Sequence, residues 1–208
     1  MLKADKLLIA KLSSDCESQY EQAAHDLAAL PRGHFEQHPL SRKYVVEHQN
    51  ALINNFHQTR NQVVRDWIVQ VLADVQARGN DFNQIVKQSL HPDCSFLTTL
   101  LYAMLNDPYA FRDCKETIKL LSTHANAEVR WRCASFLEKI PLDYDIDIDS
   151  LRRLMVDEDE TVRLYAVLAL KNLRRLEAAD RAILNQVLQV PDSARAYAME
   201  ILASDWAK

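Results

Sequence analysis

The side chains that ordinarily do chemistry are present in this chain but are spaced badly for it. Of the seven histidines, only His34 and His38 have the i, i+4 spacing of helical metal ligands; no third ligand lies nearby, and Pro39 follows. A zinc site needs three or four ligands, so this pair is read as no metal site. Cys16, Cys94, Cys114 and Cys133 are scattered without a C-x-x-C pair. They match neither a metal site nor a disulfide framework, and they suit a reducing compartment. No serine, cysteine or histidine falls in a nucleophile motif, and the two glycines cannot build a phosphate-binding loop. The expectation is no catalytic residue, no cofactor and no metal.

The acidic residues are the exception to this scatter. Asp143, Asp145, Asp147 and Asp149 alternate with Tyr144, Ile146 and Ile148, and Asp157, Glu158, Asp159 and Glu160 follow as a block. Residues 143–160 hold eight acids against Arg152 and Arg153, a net of −6; the whole chain carries −4, so the remainder is +2. A calcium loop would need a central glycine and a bidentate glutamate at its twelfth position, and both are missing. Part of the acidity belongs to helix N-termini, which favour negative charge. The remaining acids, Asp143, Asp145, Asp147, Asp149, Glu158 and Glu160, with Tyr144 among them, form either a solvated acidic face or an acidic edge suited to steering a basic protein partner. The negative total argues against nucleic acid as a partner.

The arginines are ordered in another way. Arg65, Arg130, Arg163 and Arg195 follow Val64, Val129, Val162 and Ala194; the fifth member of this series is Leu97–Thr98. Four residues after the Val column come Ile68, Leu101, Cys133, Ala166 and Ala198, and seven after it Val71, Met104, Phe136, Ala169 and Ile201. Eight after it come Leu72, Leu105, Leu137, Leu170 and Leu202, at steps of 33, 32, 33 and 32. Offsets of 0, 4, 7 and 8 share one face of an α-helix. Five copies in register are an internal repeat of stacked helical units. A row of guanidiniums suggests phosphate binding. One arginine beside each core column is instead expected to bond the turns of neighbouring repeats.

These columns need pairs of helices to position them. First helices are expected around Val45 to Phe56, Phe82 to Leu90, Ile118 to Leu121, Leu151 to Met155 and Ile183 to Leu188. Asn61, Asp93, Asn126, Asp159 and Asp192 stand where N-caps of the second helices belong. Residues 1–43 read as a helical cap followed by an irregular connection at 34–43, and residues 44–208 as five helix pairs. Together they give one all-α domain of eleven or twelve helices, sealed at its end by Trp206. No stretch approaches the roughly 18 apolar residues of a membrane span, and the short apolar run near the start is no signal segment. The chain is therefore expected in the cytoplasm.

The Asp157…Val162-Arg163…Ala166…Leu170 pattern resembles the HEAT repeat, in the short form also found in bilin-lyase-like HEAT proteins, over about residues 44 to 204. The resemblance implies a right-handed α-solenoid whose second helices line a concave surface. It also implies a polar ladder of the Asp and the Arg six residues later, as at Asp157 and Arg163. His124 and Thr98 depart from that pattern, which predicts a break in the ladder. Members of the family are mostly binding modules and scaffolds, so the expected function is non-catalytic protein binding. Asp66, Thr99, Trp131, Leu164 and Ala196 are the column expected on the concave side, with Trp131, Arg132 and Asp66 as candidate partner contacts. The alternative, a HEAT-like DNA glycosylase, would use Asp66 and an aromatic wall at Trp131. Two repeats at ~10 Å each put these residues roughly 20 Å apart, too far for one base pocket.

Overall fold

A computed structural model describes residues 3–14, 39–94, 96–140, 148–174 and 176–204, with positions 16, 18, 19, 22, 23 and 26 between the first two segments. His34, His38, Pro31 to Gly33 and Trp206, for which expectations are given above, lie outside the described residues. Every regular element among the described residues is helical. The packing divides the chain into two compact units, Met1–Asn106 and Asp107–Lys208.

The first unit holds α1 (Lys3–Leu12), α2 (Pro39–Glu47), α3 (Gln49–Gln58), α4 (Gln62–Asp74), α5 (Asn80–Ser89) and α6 (Leu97–Asn106). Helix α2 begins at Pro39, inside the stretch expected to be irregular. Proline at a first helical position loses a bond that the helix would not have made there. Helix α1 is tied down by polar groups: Ser41 Oγ donates to the buried Asp5 carboxylate at 2.6 Å. Asn55 Nδ2, also buried, donates to the carbonyls of Leu12 and Ser14, both at 2.8 Å, and so closes the orphan end of α1. Gly79 precedes α5 at φ 117°, a backbone shape that side chains resist, although a Cβ there would meet nothing within 4 Å. The N-cap expected at Asp93 is not formed, because α6 starts four residues later, at Leu97.

The second unit opens with a 3-10 segment (Pro108–Cys114) and continues through α7 (Lys115–Leu121), α8 (Ala127–Lys139), α9 (Ile148–Leu154), α10 (Glu160–Leu173), α11 (Ala178–Val187) and α12 (Ser193–Ala203). Helices α8, α10 and α12 pack in series, α8 on α10 and α10 on α12. Each of the three starts where the N-cap was expected. Asn126 accepts from Glu128 N, Asp159 from Thr161 and Val162 N, and Asp192 from Ala194 and Arg195 N.

The three forward columns are buried in every repeat, from Val64, Ile68 and Val71 to Ala194, Ala198 and Ile201. The leucine column differs. Leu72, Leu137 and Leu170 are buried, but Leu105 and Leu202 are half-buried. Each of the latter stands one residue from the end of its helix, where the turn that would cover it has run out. Val46 and Leu120, read as members of first helices, face outward at 49% and 55% exposure. Leu170→Ala is therefore expected to destabilise the protein by about 2–5 kcal/mol through transfer and cavity terms, and Leu202→Ala by less than half as much. Urea unfolding midpoints of the two variants check this; equal shifts would contradict the assigned register.

Candidate functional site

Each second helix begins at a turn whose backbone groups need partners, and one device meets that need three times. Thr59, His124 and Asp157 stand six residues before Arg65, Arg130 and Arg163. Thr59 Oγ1 accepts from Asn61 N at 3.1 Å, His124 Nδ1 from Asn126 N at 3.0 Å, and Asp157 Oδ1 from Asp159 N at 3.0 Å. The carbonyl of the same residue accepts from the arginine: Arg65 Nε at 3.0 Å, Arg130 Nη1 at 2.9 Å and Arg163 Nη1 at 2.6 Å. Threonine, histidine and aspartate serve alike because the turn asks only for one acceptor two residues before the cap. The break expected at His124 is therefore not in the turn.

Aspartate adds a second half that threonine and histidine lack. The carboxylate of Asp157 takes part in a polar ladder along the stack, as the resemblance implies, but its partner is not Arg163. It accepts Nε and Nη2 of Arg130, one repeat earlier, at 2.8 and 2.9 Å. Arg163 in turn reaches Asp192 of the next repeat through Nε at 2.7 Å and through Nη2. Asp192 performs two tasks with separate oxygens, since its Oδ1 caps α12. The bond to Asp157 holds the Arg130 guanidinium above its ordinary pKa against a smaller cost of burial. Arg65, Arg130 and Arg163 thus bond turns, and Arg130 and Arg163 also repeat junctions, as expected in preference to a phosphate-binding row, whereas Arg195 of the last repeat is exposed.

The first helices of this unit carry a further junction that the sequence reading missed. Arg152 on α9 donates to Asp180 at 2.7 Å and to Glu177 at 2.8 Å. Asp180 is fully buried and completes the capping box of α11 with Glu177. These acids, Asp180 first, raise the Arg152 pKa further. An arginine and a pair of acids some 25 to 28 residues apart left no repeat signature to find.

Of the acidic edge, Asp143, Tyr144, Asp145 and Asp147 lie outside the described residues. Asp149 is exposed and touches Arg152 at 3.2 Å. Glu158 is exposed beside Arg130 at 3.3 Å, and Glu160 accepts from Ser193 N and Oγ at 3.1 and 2.8 Å. Asp66, in the first unit, is half-buried and accepts from Gln62 Nε2 at 2.7 Å. Burial raises its pKa, while Gln62 and His91 act the other way. Asp66 and Trp131 belong to different compact units.

Trp131 is half-buried on α8 and does not stand alone. Its ring stacks on Tyr165 of α10 at 5.2 Å and 24°, and the Arg132 guanidinium lies 4.5 Å from its centroid. Arg132 is held there by Glu128 at 2.8 Å. One repeat on, Lys171 of α10 lies 5.3 Å from the Tyr197 ring of α12 and pairs with Glu200 at 2.8 Å. The column at offset 3 reads Trp67, Leu100, Arg132, Tyr165 and Tyr197, so three of its five members are aromatic. That regularity is visible in the sequence, one residue after the column that holds Trp131. The buried Cys133 and Cys94 are inert by comparison, since burial pushes both thiols up.

The Arg130–Asp157 pair has side chains only 10% and 12% exposed, so removing one partner strands the other. Arg130→Ala is expected to cost about 2–4 kcal/mol, just under the range for fully buried pairs. Arg195→Ala is expected to stay within about 0.5 kcal/mol. Thermal or urea unfolding of the two variants separates the cases.

No family model matches the chain, and no curated protein matches it. Solved structures do. An engineered protein from a structural genomics consortium is similar at 18% identity and TM-score 0.68, over 97% of this chain and 96% of that one. A designed armadillo repeat protein is similar at 15% identity and TM-score 0.68, over 98% and 99%. Another, described as in complex with a peptide (KR)4, is similar at 14% identity and TM-score 0.63, over 98% and 99%. At such identities the likeness speaks for the fold alone: the chain is an all-α repeat protein of the α-solenoid class.

Proposed function

We propose that this protein is a non-catalytic, protein-binding repeat module of the HEAT type, acting in the cytoplasm as an adaptor, regulatory subunit or inhibitor. The observation that carries this reading is the side of α8, α10 and α12 that bears Trp131, Tyr165 and Tyr197. Three partly exposed aromatics on successive second helices, with Trp131 and Tyr197 each against an ion-paired cation and Tyr165 stacked on Trp131, make a preorganised surface of the composition that protein interfaces favour. The described acids of the edge, Asp149 and Glu158, are exposed and add the negative potential that would steer a basic partner. The peptide carried by one structural neighbour is compatible with this use of the fold but belongs to that protein. Free cysteines, three of them buried, fit the cytoplasmic setting.

The test is affinity capture from the native cell with the parent protein and with Trp131→Ala as baits. A protein retained by the parent and lost by the variant, with both baits melting above the capture temperature, is the expected result. Capture unchanged by Trp131→Ala would move the partner site away from this face.

A further inference from the structure

On α8 and α10 the side that meets the next repeat carries an arginine and, one turn on, a small or apolar residue: Arg130 with Ala134, Arg163 with Val167. Each arginine reaches an aspartate in the turn that opens the next second helix, and Ala134 and Val167 are both 0% exposed. The same two positions on α12 hold Arg195 and Met199. Here nothing covers them. Met199 is 56% exposed. Arg195 is exposed; its backbone N–H bonds Asp192, and its guanidinium has no bond among the described residues. The acids nearest to it in the described sequence are already taken, Asp192 by Arg163 and Glu200 by Lys171. This side of α12 therefore carries an uncompensated positive charge beside an apolar side chain. A repeat face turned to water is ordinarily polar, and Met199 does not fit that use. It also lies roughly 200° round the helix from Tyr197, so this side is separate from the aromatic face.

We propose that this side of α12 receives a helix pair of a partner protein, whose second helix opens on a turn that carries an aspartate. The two junctions inside the unit supply the chemistry. The partner's carboxylate takes Nε and Nη2 of Arg195, as Asp157 takes those of Arg130 and Asp192 those of Arg163. The partner's helix lies along α12 as α12 lies along α10 and α10 along α8, and it covers Met199. An arginine alone would accept any anion; the apolar residue one turn away selects a carboxylate carried on a packed helix. Methionine suits such a surface, because its unbranched side chain adapts to what lies on it. The proposal goes beyond the reading of the aromatic face and uses none of its residues.

The test uses the full chain with the photo-crosslinking residue benzoylphenylalanine in place of Met199, irradiated in a lysate of the native cell, with the cross-linked segment identified by mass spectrometry. The expected result is a cross-link to a helix of another protein that begins at, or two residues after, an aspartate. With that partner purified, Arg195→Glu is expected to weaken binding at least about tenfold, as loss of one member of a buried interfacial ion pair does. Exchanging the partner's aspartate for arginine is expected to bring the Arg195→Glu variant back to within about threefold of the parent pair. Should Arg195→Glu melt early, Arg195→Gln replaces it, with an expected loss of at least about threefold. The proposal is overturned if nothing is cross-linked, if the cross-linked segment is not helical or belongs to a second copy of this chain, or if the Arg195 variants bind like the parent. Trp131→Ala tests the aromatic face separately, so either reading can fall while the other stands.

Discussion

The interaction on which the second unit depends is the arginine that opens α8 and again α10 and bonds in two directions. Backward, it fills the carbonyls of its own turn, as Arg130 does with His124 and Ala125 and Arg163 with Asp157 and Glu158. Forward, it meets the carboxylate of the next repeat, Asp157 or Asp192. Turn carbonyls left unpaired near a core would each carry a desolvation cost. A planar, always charged group with five donors can meet several acceptors at once, which lysine cannot. The core columns hold helices together without direction; the arginines fix where one repeat sits on the next.

The aromatic face depends on that fixing. The Trp131–Tyr165 stack joins α8 to α10, and the Lys171–Glu200 pair joins α10 to α12. Each contact spans the same junction as an arginine–aspartate pair. A slip of one repeat against its neighbour would separate the rings and part the ion pairs. A surface held this way loses little side-chain freedom when a partner binds, which is the physical advantage of preorganisation.

Much of this was legible in the sequence because the core repeats with the helix period. Val129, Cys133, Phe136 and Leu137 announce a buried stripe whatever their neighbours do, and Asn126, Asp159 and Asp192 announce the starts of their helices. Local rules failed where a contact crosses repeats. Nothing within the Asp157…Arg163 spacing says that the carboxylate turns back to Arg130 while its carbonyl serves Arg163. Likewise, His124 looks like a lost aspartate in the sequence but keeps half of the aspartate's role, because an unprotonated ring nitrogen is as good an acceptor for one N–H. Asp93 looked like a cap because it kept the repeat spacing, yet α6 begins later. Trp131 was singled out for its rarity, while Tyr165 and Tyr197, ordinary residues in a regular column, complete the surface.

The most direct test of this account is a double-mutant cycle at the junction of the last two repeats, with Arg163→Met and Asp192→Asn. Asparagine keeps the cap of α12, so the cycle isolates the pairing across repeats from the helix start. The account predicts a coupling of about 1–3 kcal/mol in unfolding free energy between the two positions. Losses that add to within about 0.3–0.5 kcal/mol would show the arginine serving only its own turn, and the claim that it fixes one repeat on the next would be wrong.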